Sequence, residues 1–202
     1  TIPRLEQSLV GKKVVALSAG GYHTAVCTAE GQPYTFGFGG DGQLGHGERE
    51  NERVPRMVPS LAGRKVVGVA AGGYHTAVCT AEGGLYTFGC GGCGRLGHGA
   101  RENEQVPRLV AGLAGRKVVG VAAGGYHTAV WTAEGQLYTF GDGEYGQLGH
   151  GGEPEYDEDE DEDEDRYTNN LDESVPRMGV SLAGQRVVGV AAGGEGQSTH
   201  AC

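Results

Sequence analysis

The chain has few of the features that mark several large classes of protein. It contains one tryptophan, two methionines and four phenylalanines, and no stretch approaches the ~18 apolar residues of a membrane-spanning helix. The spacing of its five cysteines does not match that of a disulfide-bonded scaffold. Its N-terminal residues lack the apolar core of a secretory signal. We therefore expect reduced thiols, a cytoplasmic or nuclear location and no membrane partner.

Glycine, in contrast, is abundant. The chain has 40 glycines in 202 residues, whereas a typical globular protein has ~7%. The glycines follow no Gly-X-Y period, which excludes collagen. Such a composition indicates a backbone that often turns tightly or adopts positive φ angles.

The net charge of −10 comes from one segment. Residues 152–168 hold eleven acidic side chains and Arg166, so the remaining chain is neutral overall. Like charges at successive positions repel one another and stay hydrated, which predicts a disordered acidic insert. The alternative is a docking segment for a basic peptide or a histone. Its candidate partner-binding residues are Glu153, Glu155, Asp157, Glu158, Asp159 and Glu160.

The sequence repeats at a fixed interval. The stretch AGGYHTAV occurs at 19–26, 71–78 and 123–130, each copy 52 residues after the last. Alignment on the Pro-Arg dipeptide gives three full units and one truncated unit, and the third is longer by 17 residues because it holds the insert. A period near fifty residues indicates a repeat architecture. We take 1–202 as one partial domain with units 2–53, 54–105, 106–174 and 175–202.

Within a unit, the hydrophobic residues alternate with a period of two. KVVGVAAGG, HTAVCTAEG and GLYTFG each fit a short strand, and the Ala-Glu-Gly between the last two fits a hairpin turn. No window has the pattern of a capped amphipathic helix. Three or four strands per unit predict an all-β fold made of β-propeller blades, each a short antiparallel sheet.

The stretches that follow the hairpins identify a family. TFGFGGDGQLGHG, TFGCGGCGRLGHG and TFGDGEYGQLGHG end at Gly47, Gly99 and Gly151. Together with the Gly-x-x-His-Thr copies, they resemble the regulator of chromosome condensation repeat over nearly the whole chain outside the insert. The resemblance implies a propeller that usually has seven blades, of which this chain has about three and a half. Because it begins with Thr1, we expect a fragment whose ring is completed by neighbouring sequence or by other copies.

The resemblance implies three classes of function. One is a protein-interaction scaffold, as in the repeat domains of large ubiquitin ligases; another is guanine-nucleotide exchange on a Ran-like small GTPase. The third, UV-B photoreception, is disfavoured because Tyr22, Tyr74 and Tyr126 stand where the plant receptor has tryptophans, and Trp131 is the chain's one tryptophan. We expect a non-enzymatic scaffold, with the exchange factor and the substrate-recognition part of a larger ligase as alternatives.

The repeated histidines invite a catalytic interpretation, but the same local residues recur in every unit. An enzyme seldom needs three identical catalytic histidines, so we interpret them as structural, with the histidine tying strands together and the threonine satisfying backbone groups. No catalytic residue is predicted. The structural set is Gly20, His23, Thr24, Gly72, His75, Thr76, Gly124, His127 and Thr128.

One pair of thiols is peculiar to the second unit. Cys90 and Cys93 form a CxxC half-site for zinc, and His98 is the nearest further ligand, but a structural site needs four. The alternative is two incidental thiols in a glycine-rich loop. His46 and His150 lie in the equivalent Gly-His-Gly turns of the other units. Positions related by blade rotation lie on a circle, so we expect these histidines to be too far apart to share an ion. No cofactor, nucleotide-binding loop or basic footprint for nucleic acid is predicted.

Overall fold

The computed structural model describes residues 6–151, 171–179 and 185–193. Within these ranges twelve strands form three four-stranded antiparallel sheets, each with its strands in sequence order, which confirms the all-β prediction. The first sheet comprises β1 (Val14–Ala19), β2 (His23–Thr28), β3 (Pro33–Gly37) and β4 (Glu52–Met57). The second comprises β5 (Val66–Ala71), β6 (His75–Thr80), β7 (Leu85–Gly89) and β8 (Glu104–Leu109). The third comprises β9 (Val118–Ala123), β10 (His127–Thr132), β11 (Leu137–Gly141) and β12 (Glu173–Met178).

The helical content of the described residues is small. Four 3-10 helices of three residues each lie in the connections, and none of the described helices is long and apolar enough to cross a membrane. They comprise Gln7–Leu9, Pro59–Leu61, Gly92–Gly94 and Ala111–Leu113.

The central hairpin of each sheet follows from the alternating pattern. In the first sheet, His23 pairs with Gly37 and Cys27 with Pro33. The turn closes with a bond from the Gly31 N–H to the Thr28 carbonyl at 2.9 Å. Gly31 has φ +81°, a left-handed conformation that favours glycine. The Ala-Glu-Gly sequence therefore supplies the turn that the hairpin needs.

The blades are offset from the units in which the sequence repeats. The sheets span 14–57, 66–109 and 118–178, so the Pro-Arg strand that opens a sequence unit is the outer strand of the preceding sheet. Met57 pairs with Tyr34 of the same sheet. Each outer strand contains a proline, which is tolerated there because an edge strand leaves one row of N–H groups unpaired.

The core lies between neighbouring blades. β1 and β2 pack on β5, and β5 and β6 pack on β9. Cys27 and Cys79, which occupy equivalent repeat positions, are fully buried. The third copy has Trp131, whose ring fills the space where a Cβ on Gly120 would lie. The first interface packs Cys27, Val58, Leu61, Val66, Val78, Tyr86 and Phe88 together.

The truncated fourth unit lies at the place of a next blade. The Val187 N–H donates to the Gly135 carbonyl at 3.0 Å, as Val66 does to Gly31 at 3.1 Å. Within 185–193 no residue is assigned to a strand. The acidic insert, with the candidate residues from Glu153 to Glu160, lies outside the described residues, as does the segment after Gly193.

Candidate functional site

The repeated histidines join neighbouring blades. The His23 Nε2 lies 2.6 Å from the Thr76 Oγ1, and the His75 Nε2 lies 2.8 Å from the Thr128 Oγ1. Each bond connects the second strand of one sheet to the second strand of the next. The sequence predicted that the histidine ties neighbouring strands together. In the structure the strands that it joins belong to neighbouring blades.

The threonine hydroxyl has a second hydrogen-bond partner, and this partner determines which ring nitrogen of the histidine carries a hydrogen. Thr76 Oγ1 donates to the Gln43 carbonyl at 2.7 Å, and Thr128 Oγ1 donates to the Arg95 carbonyl at 2.8 Å. A hydroxyl has one hydrogen and a carbonyl only accepts. The Nε2 of His23 and of His75 must therefore carry a hydrogen and donate it to the threonine.

Burial keeps these histidines neutral. It lowers the pKa of His23 to about 4 and holds the pKa of His75 well below its usual range, with the Arg95 charge as a second cause for His75. Both Nδ1 atoms are buried without a hydrogen-bond partner among the described residues. Each imidazole therefore stays neutral near pH 7 and donates to the threonine of the next blade, and we call this bond an inter-blade joint.

The glycine pairs allow the same junctions to close. The Gly21 N–H donates to the Gly72 carbonyl at 3.0 Å, and the Gly73 N–H donates to the Gly124 carbonyl at 3.2 Å. A Cβ on Gly72 would lie 2.6 Å from the Gly124 oxygen and would also overlap the His75 ring. The backbones of successive blades therefore approach too closely for any side chain at this position.

Thr24 in the first blade and His127 in the third form no inter-blade bond among the described residues. Thr24, in the first blade, is half-buried, and its hydroxyl has no hydrogen-bond partner within the described ranges. His127, in the third blade, is half-buried, and burial lowers its pKa. At the position equivalent to its threonine partner the fourth unit has Gln197, which lies outside the described residues.

A second set of histidines acts inside single blades. His46, His98 and His150 direct Nε2 to Thr35, Thr87 and Thr139 at 3.0, 3.0 and 2.7 Å. Burial is the largest cause that lowers the pKa of each of the three. Each ring binds within its own blade, so these turn residues do not converge on one point.

The candidate zinc ligands are not brought together. His98 is directed to Thr87, and within the described ranges no three His, Cys, Asp or Glu side chains are arranged to hold a metal ion. Cys93 instead accepts a hydrogen bond from the Arg95 Nη2 at 3.8 Å and has a left-handed φ of 56°. Cys90 and Cys93 are both half-buried thiols.

Aromatic side chains meet at one end of the sheets, in contacts that were not predicted from the sequence. We call this end, with the turns that precede β2, β6 and β10 and the loops that follow β3, β7 and β11, the variable end. Here Tyr22 packs on Tyr74 with ring centroids 5.0 Å apart, and it forms a T-shaped contact with Phe38, whose ring centroid is 6.3 Å away. The guanidinium of Arg95 lies 4.6 Å from the ring centroid of Tyr126. The spacing of 52 residues between the tyrosines was the available signal.

The loops of the variable end are held in the same way in each blade. The N–H of the first residue after β3, β7 and β11 donates to the tyrosine carbonyl of its own blade at 2.9, 2.9 and 3.0 Å. The residue itself differs, being Phe38, Cys90 and Asp142. The arrangement thus presents different side chains at equivalent positions on a repeated backbone.

Comparison with known proteins gives consistent matches. A sequence model of the regulator of chromosome condensation (RCC1) repeat matches residues 30–79, 82–131 and 134–196, and a second model of this repeat matches 66–95 and 118–147. Human E3 ubiquitin-protein ligase HERC2 is 43% identical over 158 residues, which cover 74% of this chain and 3% of HERC2. The ultraviolet-B receptor UVR8 of Arabidopsis thaliana is 39% identical over 145 residues, which cover 72% of this chain and 33% of UVR8.

The fold is also shared with a solved structure. Prp20p from Saccharomyces cerevisiae superposes with a TM-score of 0.72 at 21% identity, over 90% of this chain and 42% of Prp20p. The chain therefore spans less than half the length of each of these relatives. The matched repeats cover most of the chain, with the inter-blade joints and glycine pairs at their repeated positions. The chain belongs to the regulator of chromosome condensation (RCC1) repeat family.

Proposed function

We propose that the chain is a rigid propeller scaffold that binds protein partners at its variable end and performs no chemistry of its own. One observation supports this most directly. The buried joints are the same at successive blade junctions, whereas the exposed loop positions differ from blade to blade. Repeat proteins use a constant core to hold variable loops in fixed positions, and such loops bind partners.

The loop positions differ in chemistry as well as in identity. Asp41, Cys93 and Tyr145 occupy equivalent places in the three loops and are a carboxylate, a thiol and a phenol. Tyr145 is 71% exposed. Side chains that change between otherwise matched blades give each loop a different surface for recognition.

Site-specific photo-crosslinking in cells tests the scaffold. A photoreactive phenylalanine analogue replaces Phe38 or Tyr145 at the variable end, or exposed Ala62 at the opposite end of the sheets. We expect protein crosslinks from the first two positions and few from Ala62. The absence of crosslinks at both variable-end positions would contradict the proposal.

The similarity to HERC2 favours a second candidate. We propose that the chain serves as the substrate-recognition part of a larger ubiquitin ligase, because 74% of it aligns with HERC2 at 43% identity. The matched region is 3% of that ligase, so the transfer chemistry would belong to other domains. The test is whether deleting this chain from the full-length protein abolishes ubiquitination of the proteins that it crosslinks.

Guanine-nucleotide exchange is the remaining alternative. Prp20p, whose structure was described with its binding properties to Gsp1p and histones, shares the fold at 21% identity. We expect the chain not to accelerate nucleotide release from Ran-family GTPases, since no described loop offers an exchange-specific element. Acceleration at substoichiometric concentration would reverse this ranking. Histone binding through the acidic insert, in the cytoplasm or nucleus, is a separate proposal that salt dependence would test.

A further inference from the structure

We propose that Tyr22, Phe38 and Tyr74, with Asp41 beside them, form a binding site for an arginine or lysine side chain of a protein partner. The inference rests on the proposed scaffold function and deepens it, because it names the chemistry of one contact. It concerns the junction between the first two blades at the variable end. We call these four residues the aromatic–acidic site.

The rings are accessible to solvent and contact one another. Tyr22 is 52% exposed and Phe38 is 38% exposed, although both are large and mainly apolar. Tyr22 contacts Phe38 edge-on within its own blade and Tyr74 across the blade boundary. Exposed aromatic side chains held by neighbours lose little entropy on binding, and for this reason they are enriched in protein interfaces.

The Asp41 carboxylate lies next to these rings. The ring of Phe38 lies against Gly40, the residue that precedes Asp41. The pKa of Tyr74 is raised to about 12. The largest cause is the hydrogen bond with the Tyr22 hydroxyl, and the negative charge of Asp41 is a smaller one. The Asn103 Nδ2 donates to the Asp41 Oδ1 at 3.4 Å, and Asp41 forms no ion pair with any described residue. A negative charge is therefore available beside the exposed rings.

The third blade contains an internal example of the proposed contact. The Arg95 guanidinium stacks over Tyr126 at 4.6 Å, and Tyr126 is the repeat equivalent of Tyr22 and Tyr74. The repeat equivalent of Arg95 in the first blade is Gln43, which is uncharged and whose Oε1 accepts from the Asp41 N–H at 2.9 Å. No cation of the described chain stacks on Tyr22 or Tyr74.

Charge decides which class of partner fits. The faces of tyrosine and phenylalanine attract cations, and an adjacent carboxylate adds to that attraction. A phosphate of nucleic acid or of a lipid would be repelled by Asp41. A guanidinium fits best, since it can stack on a ring and direct its N–H groups to a carboxylate at the same time. The occupant is therefore a basic segment of a protein.

Peptide binding tests the aromatic–acidic site. The probe is a fluorescent glycine–serine peptide that contains arginines, and its control contains citrulline, which keeps the shape of arginine and lacks the charge. Binding to the whole chain is followed by anisotropy. We expect Tyr22→Leu, Phe38→Leu and Asp41→Asn each to weaken arginine-peptide binding by about two- to five-fold. Val10→Ala, which trims a 58% exposed apolar side chain at the opposite end of the sheets, should leave it unchanged.

The other outcomes overturn either this inference or the scaffold on which it rests. Equal binding of the citrulline peptide would remove the role of charge, and equal binding to all four variants would place the peptide elsewhere, including on the acidic insert. A dimer that dissociates on Tyr22→Leu in sedimentation would show that a second copy occupies the site. Crosslinks at Phe38 without an arginine-dependent signal would leave the scaffold intact and reject this site. Peptide binding at Tyr22 without any protein crosslink would instead reject the scaffold.

Discussion

The Nε2 of His23 donates across a blade boundary to the Oγ1 of Thr76, 2.6 Å away. The two residues are 53 positions apart, which is one repeat plus one residue. The same separation joins His75 to Thr128. A local motif of histidine followed by threonine thus becomes a chain of bonds between blades, because each blade supplies a donor to the next and an acceptor to the previous one.

Removing the acceptor should destabilise the junction between the second and third blades. In Thr128→Val the shape is kept, but the His75 Nε2–H loses its partner and the Arg95 carbonyl loses a donor. An unsatisfied buried polar group costs about 1–3 kcal/mol. We expect the free energy of unfolding to fall by about 2–4 kcal/mol in urea titrations.

Thr24→Val is the matched control. Thr24 occupies the same repeat position, but its hydroxyl has no hydrogen-bond partner among the described residues. Its substitution should change the free energy of unfolding by less than about 0.5 kcal/mol. A comparable loss in both variants would show that the hydroxyl acts locally and not as an inter-blade joint.

Acid should weaken the fold through the same histidines. Burial lowers the pKa of His23 to about 4 from an ordinary 6.5, so the unfolded chain binds this proton more readily than the folded chain. The stability is therefore complete above pH 6.5 and is lost as the pH falls toward 4. For His23 the loss is on the order of 3 kcal/mol, at 1.36 kcal/mol for each pKa unit. Urea midpoints measured from pH 7.5 to 4.5 should show this decline.

His23→Gln isolates the contribution of this residue. The glutamine amide keeps a donor and cannot be protonated in this range, so the variant should lose less stability between pH 7.5 and 4.5 than the original chain. His75 should contribute in the same direction, since burial also lowers its pKa. An unchanged pH dependence in His23→Gln would mean that His23 is already accessible to protons in the folded state.

The sequence predicted the elements of this fold better than their grouping. Alternation and the Ala-Glu-Gly turn were sufficient for the β2–β3 hairpin, because both are local. A repeat of fixed length, however, does not show at which residue a blade begins. The strand Glu52–Met57 therefore could not be assigned to the blade before it or after it until its pairing with β3 was known.

The site was less predictable, because its contacts join residues from different blades. Repetition of His23 and His75 in the sequence favoured a structural role, but their bonds to the next blade depend on the stacking of the sheets. The contact of Tyr22 with Tyr74 depends on the same stacking. The Arg95–Tyr126 contact depends further on a single departure from the repeat, arginine for glutamine, which has no local signature.

The glycine pair should not tolerate a side chain. In Gly72→Ala the new Cβ would meet the Gly124 oxygen at 2.6 Å, and backbone cannot move aside as a flexible side chain can. Overpacking of this kind costs about 1–3 kcal/mol. Gly189→Ala is the control, since a Cβ there meets nothing within 4 Å. Thermal unfolding should show a lowered midpoint for the first variant alone; equal midpoints would contradict the close approach of the blades.

The four described thiols should differ sharply in reactivity. Cys27 and Cys79 are fully buried, and burial raises the pKa of Cys79 to about 11, so both should resist iodoacetamide in the folded protein. Cys90 and Cys93 are half-buried and should react first. Of these, Cys93 should be the faster, because the Arg95 guanidinium donates to its sulfur and favours the thiolate.

Arg95→Gln tests the cause of that difference. Glutamine is the residue at the equivalent positions Gln43 and Gln147, so the loop has a precedent for it in both neighbouring blades. Pulsed alkylation read by peptide mass spectrometry should show a slower Cys93 and an unchanged Cys90. Rapid labelling of Cys79 would indicate that the blades open. An unchanged Cys93 rate would show that exposure alone, and not the guanidinium, governs this thiol.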